Sequence, residues 1–72
     1  MKGTEELKFL LRCVYDKGFY NIEKVTVVIE HRGAENNEKK ISGNEIKSVD
    51  RRGITLADGV FIPFYRIKRV IK

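Results

Sequence analysis

Cysteine, histidine, proline and methionine occur once each in this chain of 72 residues, and tryptophan is absent. One cysteine cannot form an intramolecular disulfide, and one cysteine with one histidine cannot complete the four ligands of a structural zinc site. The disulfides and structural metal sites that stabilise many small secreted domains are therefore missing. The fold must depend on apolar packing, and a chain of this length predicts a single domain spanning 1–72.

Long apolar runs are missing as well. No stretch approaches the ~18 apolar residues that suggest a membrane span, and no apolar run near the N-terminus resembles a signal peptide. We therefore expect a soluble cytoplasmic protein without membrane association. Because no glycine-rich phosphate loop, nucleophile elbow or metal-ligand spacing occurs, we expect neither a cofactor nor a metal.

Positive charge is in excess. Lysine and arginine outnumber the acidic residues 15 to 10, and the sequence pI is about 9.6. Such an excess favours a polyanionic partner, of which nucleic acid is the most common. A charged fraction of 35 % is also typical of proteins selected for heat resistance. Charge alone leaves both interpretations open.

The first part of the chain has the apolar spacing of a helix. Residues at i, i+3, i+4 and i+7 predict a helix from Thr4 to Lys17, capped by Thr4 and stopped by a left-handed Gly18. The four apolar positions are Leu7, Leu10, Leu11 and Val14. They form one stripe, which we expect to face the core.

Short strands are predicted after the helix. Residues 24–31 alternate, with Val25, Val27 and Ile29 on the inward face and His31 on the same parity at the strand end. A polar loop should connect this strand to a return strand at 39–41, and 42–45 predicts a turn or a single helical turn. Further strands are expected at 46–50, 54–56, 60–62 and 67–71, and Pro63 should end a strand or lie on an edge.

These elements predict an α+β fold. One N-terminal helix is followed by about five short, mostly antiparallel strands, which we expect to form a curled sheet or a partly open small barrel. Closure of this kind would cover the edges of the short strands.

Cys13 and His31 are the only thiol and the only imidazole, so a nucleophile and base pair is formally possible. Cys13 lies beside the apolar stripe of the helix, however, where a free cysteine behaves as a small buried hydrophobe. We therefore expect no catalytic residue and a protein that is not an enzyme.

The segment His31-Arg32-Gly33-Ala34 ends the first predicted strand. An imidazole and a guanidinium, followed by a glycine that lets the backbone turn close to a ligand, are suited to holding an anion. A polar shoulder of a hairpin accounts for the same residues.

Tyr65 and Arg66 allow two similar interpretations. The ring can stack on an unpaired base while the guanidinium binds the adjoining phosphate. Alternatively, the ring packs and the arginine shields a sheet edge. Four more cations could extend a positive surface, although Lys68 and Arg69 are neighbours in a strand and should point to opposite sides. These four are Arg51, Arg52, Lys68 and Arg69.

Two motifs together resemble the signature of a small, largely archaeal family, uncharacterised protein family 0248, which is also described as the RNA cyclic-group end recognition domain. The motifs are His31-Arg32-Gly33-Ala34 and Ile62-Pro63-Phe64-Tyr65-Arg66-Ile67, with Tyr15-Asp16 after the helix. The resemblance spans nearly the whole chain in order. It implies recognition of RNA ends that carry a cyclic phosphate, and partner proteins that process or repair RNA.

By position, the family motifs match His31, Arg32, Pro63, Arg66 and Ile67. Tyr65 stands where the family usually has histidine, and Tyr15 where it commonly has tryptophan. Both replacements keep an aromatic ring, which favours stacking over proton transfer.

The sequence thus predicts a small basic RNA-binding module whose partner is single-stranded RNA or an RNA terminus. The alternatives are an RNA-end phosphodiesterase acting through His31, and a protein-interaction domain that uses the C-terminal strand. The expected RNA- and phosphate-binding residues are His31, Arg32, Gly33, Arg51, Arg52, Tyr65, Arg66, Lys68 and Arg69, with Tyr15 and Tyr65 as stacking rings.

Overall fold

The computed structural model describes residues 3–16, 18–33 and 35–72. Within these ranges one α-helix precedes six strands. They are α1 (Thr4–Tyr15), β1 (Thr26–Glu30), β2 (Glu38–Ser42), β3 (Ile46–Asp50), β4 (Gly53–Leu56), β5 (Phe61–Pro63) and β6 (Ile67–Ile71). The predicted α+β class is confirmed, and each of the six segments expected to be extended contains one of these strands. No helix in the described part of the chain is both long and apolar enough to cross a membrane.

The helix α1 begins at Thr4 as predicted, but its cap differs from the prediction. Gly3, not Thr4, is the N-cap; it has a φ of 84°, and no side chain caps the helix. The Gly3 carbonyl accepts a hydrogen bond from the Leu7 amide at 2.9 Å. A Cβ at Gly3 would overlap the carbonyl oxygen of Phe64. The cap therefore lies one residue earlier than predicted, because a glycine can lie directly against the turn that carries Phe64.

The end of α1 also differs. The helix stops at Tyr15, and Asp16 is extended with φ −116° and ψ 92°. The predicted end at Lys17 lies outside the described residues. Gly18 is not left-handed; its amide donates to Asp16 Oδ1 at 3.2 Å. The predicted glycine stop is wrong because the aspartate has already turned the chain by accepting a local hydrogen bond.

The strands form two three-stranded antiparallel sheets, with orders β2-β1-β6 and β3-β4-β5. The chain passes between the sheets through single 3₁₀ turns, Gly43–Glu45 after β2 and Phe64–Arg66 after β5. Pro63 ends β5 and is the N-cap of the second turn, as the lack of an amide hydrogen predicts. The β layer is therefore curled, in agreement with the sequence, and the two sheets do not pair with each other.

The core lies between the two sheets and beneath α1. Both sheets and the helix contribute aliphatic side chains to one cluster: Leu7, Leu10, Val25, Val27, Ile29, Ile41, Val49, Ile54, Leu56, Ile62 and Ile67. The predicted inward face of β1 is confirmed. Val14, predicted to face the core, is 37 % exposed at the end of the helix.

The turn Gly43–Glu45 is specified by its own residues, and the predicted single helical turn is confirmed. Glu45 Oε2 accepts from the Ser42 amide at 2.9 Å, and Ser42 Oγ accepts from the Asn44 amide at 3.3 Å, which completes a capping box. The Gly43 amide donates to the Val25 carbonyl at 2.8 Å. Because Gly43 is buried, the turn lies directly on the segment that leads into β1.

We predict that Gly43→Ala destabilises the protein by about 2 kcal/mol, because the added Cβ would overlap the Ile22 carbonyl and force the backbone apart. Urea unfolding measures the loss. Gly18→Ala is the matched control, since the nearest atom to its Cβ is 3.7 Å away, and we expect a change within about 0.5 kcal/mol. Equal midpoints for the two variants would contradict the packing at Gly43.

Candidate nucleic-acid interface

The two motifs singled out in the sequence line one surface depression of about 390 Å³. Its lining residues are Glu30, His31, Arg32, Tyr65 and Arg66. The pairing of β1 with β6 explains this placement, because Ile29 lies opposite Ile67 in an antiparallel register. The end of one strand and the start of the other therefore adjoin, and the residues that flank them meet at the same sheet edge.

The parity of β1 predicts an inward side chain at His31, but this residue is exposed. The strand has ended at Glu30, and the His31 amide donates to the Asn37 carbonyl at 2.8 Å, which closes the hairpin loop. Alternation applies only while the chain stays extended. The turn therefore directs the imidazole to the depression.

The loop after His31 turns tightly. Gly33 has a φ of 90°, and a Cβ there would meet no atom within 4 Å. Asn36 and Asn37 are also left-handed, with φ of 57° and 55°. This conformation favours glycine and the space around Gly33 is open, but Gly33 itself does not line the depression. Ala34, the last residue of that motif, lies outside the described residues.

Arg66 joins the two halves of the depression. Its Nη2 donates to the Glu30 carbonyl at 2.7 Å, across 36 positions of sequence. The guanidinium is thus fixed in place between the end of β1 and the start of β6. Because a guanidinium has five N–H donors in one plane, this bond leaves others for a ligand. Arg66 therefore both stabilises the fold and lines the site.

Tyr65 is the exposed ring of the depression, with 59 % of its surface accessible. It lies in the 3₁₀ turn Phe64–Arg66. The neighbouring Phe64 ring is 5.8 Å away at an interplanar angle of 81°, an edge-to-face contact that holds the tyrosine in place. An oriented, exposed ring beside two guanidinium groups is suited to stacking on a nucleobase.

Lys68 and Arg69 lie outside the depression and share one partner. Lys68 Nζ is 2.9 Å from Glu38 Oε2, and both Arg69 Nη atoms contact the same carboxylate at 3.2 and 3.3 Å. The prediction that they point to opposite sides is wrong. Arg69 lies opposite Val28 and Ile67 opposite Ile29, so Lys68 is an extra residue in a β-bulge, which breaks the alternation.

The remaining predicted residues are not brought into the depression. Arg51 and Arg52 are exposed in the β3–β4 turn, where Asp50 Oδ1 accepts from the Arg52 amide at 2.7 Å. Tyr15 is 76 % exposed, but it ends α1, whose start adjoins Phe64. A helix of 12 residues spans about 18 Å, so Tyr15 is remote from Tyr65.

Cys13 is buried in α1, as expected for a small hydrophobe. Burial raises the pKa of its thiol, and the positive charge of Lys72 offsets this only in part. The thiol is therefore protonated at neutral pH, whereas His31 is exposed at the depression. No group of three or more metal-binding side chains occurs among residues 3–16, 18–33 and 35–72.

A second cleft of about 250 Å³ adjoins the first. His31 and Arg66 line it as well, and so do Lys39, Asp58 and Val60. Sequence reasoning missed these last three as site residues, because Lys39 has the pattern of an ordinary strand residue and Asp58 is explained by its turn. Asp58 Oδ1 indeed accepts from the Val60 amide at 3.0 Å.

No protein-family model, curated protein or solved structure matches the chain. The resemblance to family 0248 therefore stays a prediction.

The Glu38 ion pairs predict an acid-dependent stability. Hydrogen bonds from Lys68 and then Arg69 lower the pKa of Glu38 from 4.5 to about 2. A lowered carboxyl pKa means that the stabilisation is complete above about pH 4.5 and is lost as the pH falls towards 2. Glu38→Gln should therefore lower the urea midpoint at pH 7, with a difference that shrinks towards zero near pH 2.

The matched control for this experiment is Glu23→Gln, which removes an exposed carboxylate that forms no ion pair with residues 3–16, 18–33 or 35–72. We expect its midpoint to follow the wild type at both pH values. A Glu38→Gln midpoint equal to that of the wild type at pH 7 would show that the ion pairs do not contribute.

Proposed function

We propose that this chain is a small cytoplasmic RNA-binding module, in which the depression receives a phosphate of the RNA and Tyr65 stacks on the adjoining base. The observation that supports this is the meeting of the two motifs. His31 and Arg32 follow one strand, Tyr65 and Arg66 precede another, and all four line one depression.

The chemistry of the depression favours a nucleic acid over a simple anion. Two guanidinium groups, Arg32 and Arg66, outweigh the carboxylate of Glu30, so phosphate is attracted. An anion alone would not need the exposed ring of Tyr65, whereas single-stranded RNA offers a phosphate and an unstacked base side by side. The depression is open at the surface, so a strand can lie across it.

An RNA end with a cyclic phosphate is the finer form of this proposal, and it depends on the resemblance. A terminal phosphate fits the depression because Arg32 and His31 donate from a tight turn. Tyr65 occupies the place of a second imidazole, and the chain has one histidine. Acid and base catalysis by paired imidazoles is therefore ruled out, which supports binding without turnover. Proteins that process or repair RNA are the expected partners.

Salt dependence tests phosphate binding. We predict that log affinity for a short single-stranded RNA falls with log salt at about −0.7 for each phosphate neutralised. Arg32→Ala should weaken binding and reduce the slope by about 0.7. Lys24→Ala is the control. Lys24 precedes β1, whereas the depression lies at the other end of this strand, after Glu30, so loss of its charge should leave the slope unchanged. Equal slopes for the two variants would place the phosphate elsewhere.

Replacement of Tyr65 separates stacking from proton transfer. We predict that Tyr65→Phe keeps the affinity for RNA, while Tyr65→Ala loses about 1–3 kcal/mol, the usual worth of one stacked base. Fluorescence anisotropy measures both. An RNA ending in a 2′,3′-cyclic phosphate should also remain intact. Opening of that end by the wild type but not by His31→Ala would favour the alternative of an RNA-end processing enzyme.

A further inference from the structure

The second cleft, of about 250 Å³, has an apolar floor. Four aliphatic side chains form the floor, two from each sheet: Ile29, Ile41, Leu56 and Ile62. Each is less than 10 % exposed, so a ligand would lie across these side chains and would not penetrate the core. The cleft therefore marks one open end of the space between the two sheets.

The rim of the cleft is polar and mostly cationic. Lys39 and Asp58 belong to it, and Val60 adds an apolar surface that is 51 % exposed. A concave site with an apolar lining and a few polar groups at its edge is the usual form of a site for a small ligand group. The volume corresponds to about eight water molecules at ~30 Å³ each, which is enough for one such ring.

His31 and Arg66 form a wall that both cavities share. Arg66 cannot swing away freely, because its Nη2 is bonded to the Glu30 carbonyl. Because both cavities share these two side chains, one ligand can place a phosphate on one side of the wall and a ring on the other. A nucleotide carries both a phosphate and a ring, so two adjoining cavities of this kind favour a nucleotide over an unrelated apolar ligand.

We propose that the cleft is a nucleobase subsite, in which a base lies on Val60 and the aliphatic floor while its phosphate is bound at the His31 and Arg32 side. This inference rests on the proposed RNA-binding function and deepens it. The RNA then contacts the protein through two bases, one on Tyr65 and one in the cleft, with the shared phosphate site between them. Lys39 and Asp58 are placed to contact the polar edge of the second base.

A trinucleotide RNA tests the subsite, because it contains an internal phosphate with a base on each side and is too short to bind in many registers. In carbon-13 methyl NMR spectra, we expect the methyl resonances of Ile41, Leu56 and Ile62 to shift as the trinucleotide is added. In three further trinucleotides, an abasic ribose replaces each nucleoside in turn. We expect loss of the base at one of the three positions to cancel these shifts and to weaken binding at least about fivefold.

Val60→Ser removes apolar surface from the rim and should weaken trinucleotide binding about fourfold for each methylene of lost contact. The salt slope should not change, because no phosphate contact is removed. Phe61→Ser is the matched control. Phe61 is also exposed, at 44 %, and does not line the cleft. We therefore expect the Phe61→Ser protein to bind the trinucleotide as tightly as the wild type does.

The outcomes separate the two proposals. Shifts at the amides of Arg32 and Tyr65 with unmoved floor methyls, or equal affinities for Val60→Ser and Phe61→Ser, would overturn the base subsite while RNA binding stands. A wild-type protein that shows no shift at any residue with the trinucleotide and no affinity for longer RNA would overturn the proposed function itself.

Discussion

Ile29 lies opposite Ile67 where β1 and β6 pair as antiparallel strands, and both side chains are buried in the core. Every feature of the candidate site depends on this register, because it places the residues that follow β1 beside those that precede β6. A slip of one residue would turn the apolar face of a strand to solvent, so the core itself fixes the register. The Arg66 hydrogen bond to the Glu30 carbonyl then closes the same edge from outside.

The cations that make up the net charge of +5 are not all available to a ligand. Glu38 of β2 forms ion pairs with Lys68 and Arg69 of β6. A phosphate would have to displace the Glu38 carboxylate to reach these two cations. Arg32 and Arg66 lie at the depression instead. Affinity for a polyanion is therefore expected to depend on a few placed donors more than on the total number of cations.

The turn Phe64–Arg66 has two tasks. It carries the chain from one sheet to the other, and it presents Tyr65 and Arg66 to the depression. Gly3 packs against the backbone of this turn, and the Phe64 amide donates to the Arg52 carbonyl at 2.8 Å. A ring and a guanidinium on a turn packed from two sides are held more rigidly than they would be on a free loop, which lowers the entropy lost on binding.

The local sequence was sufficient for the helix, the inward face of β1, the turn at 42–45 and the strand break at Pro63, because these depend on neighbours a few residues apart. The chemistry of two short motifs selected His31, Arg32, Tyr65 and Arg66, which share one depression. Tertiary structure alone decided the rest. The outward turn of His31 depends on the loop that its amide closes with the Asn37 carbonyl. The bulge at Lys68, the α1 cap at Gly3 and the cleft between the sheets all depend on contacts between residues distant in sequence, which local spacing does not contain.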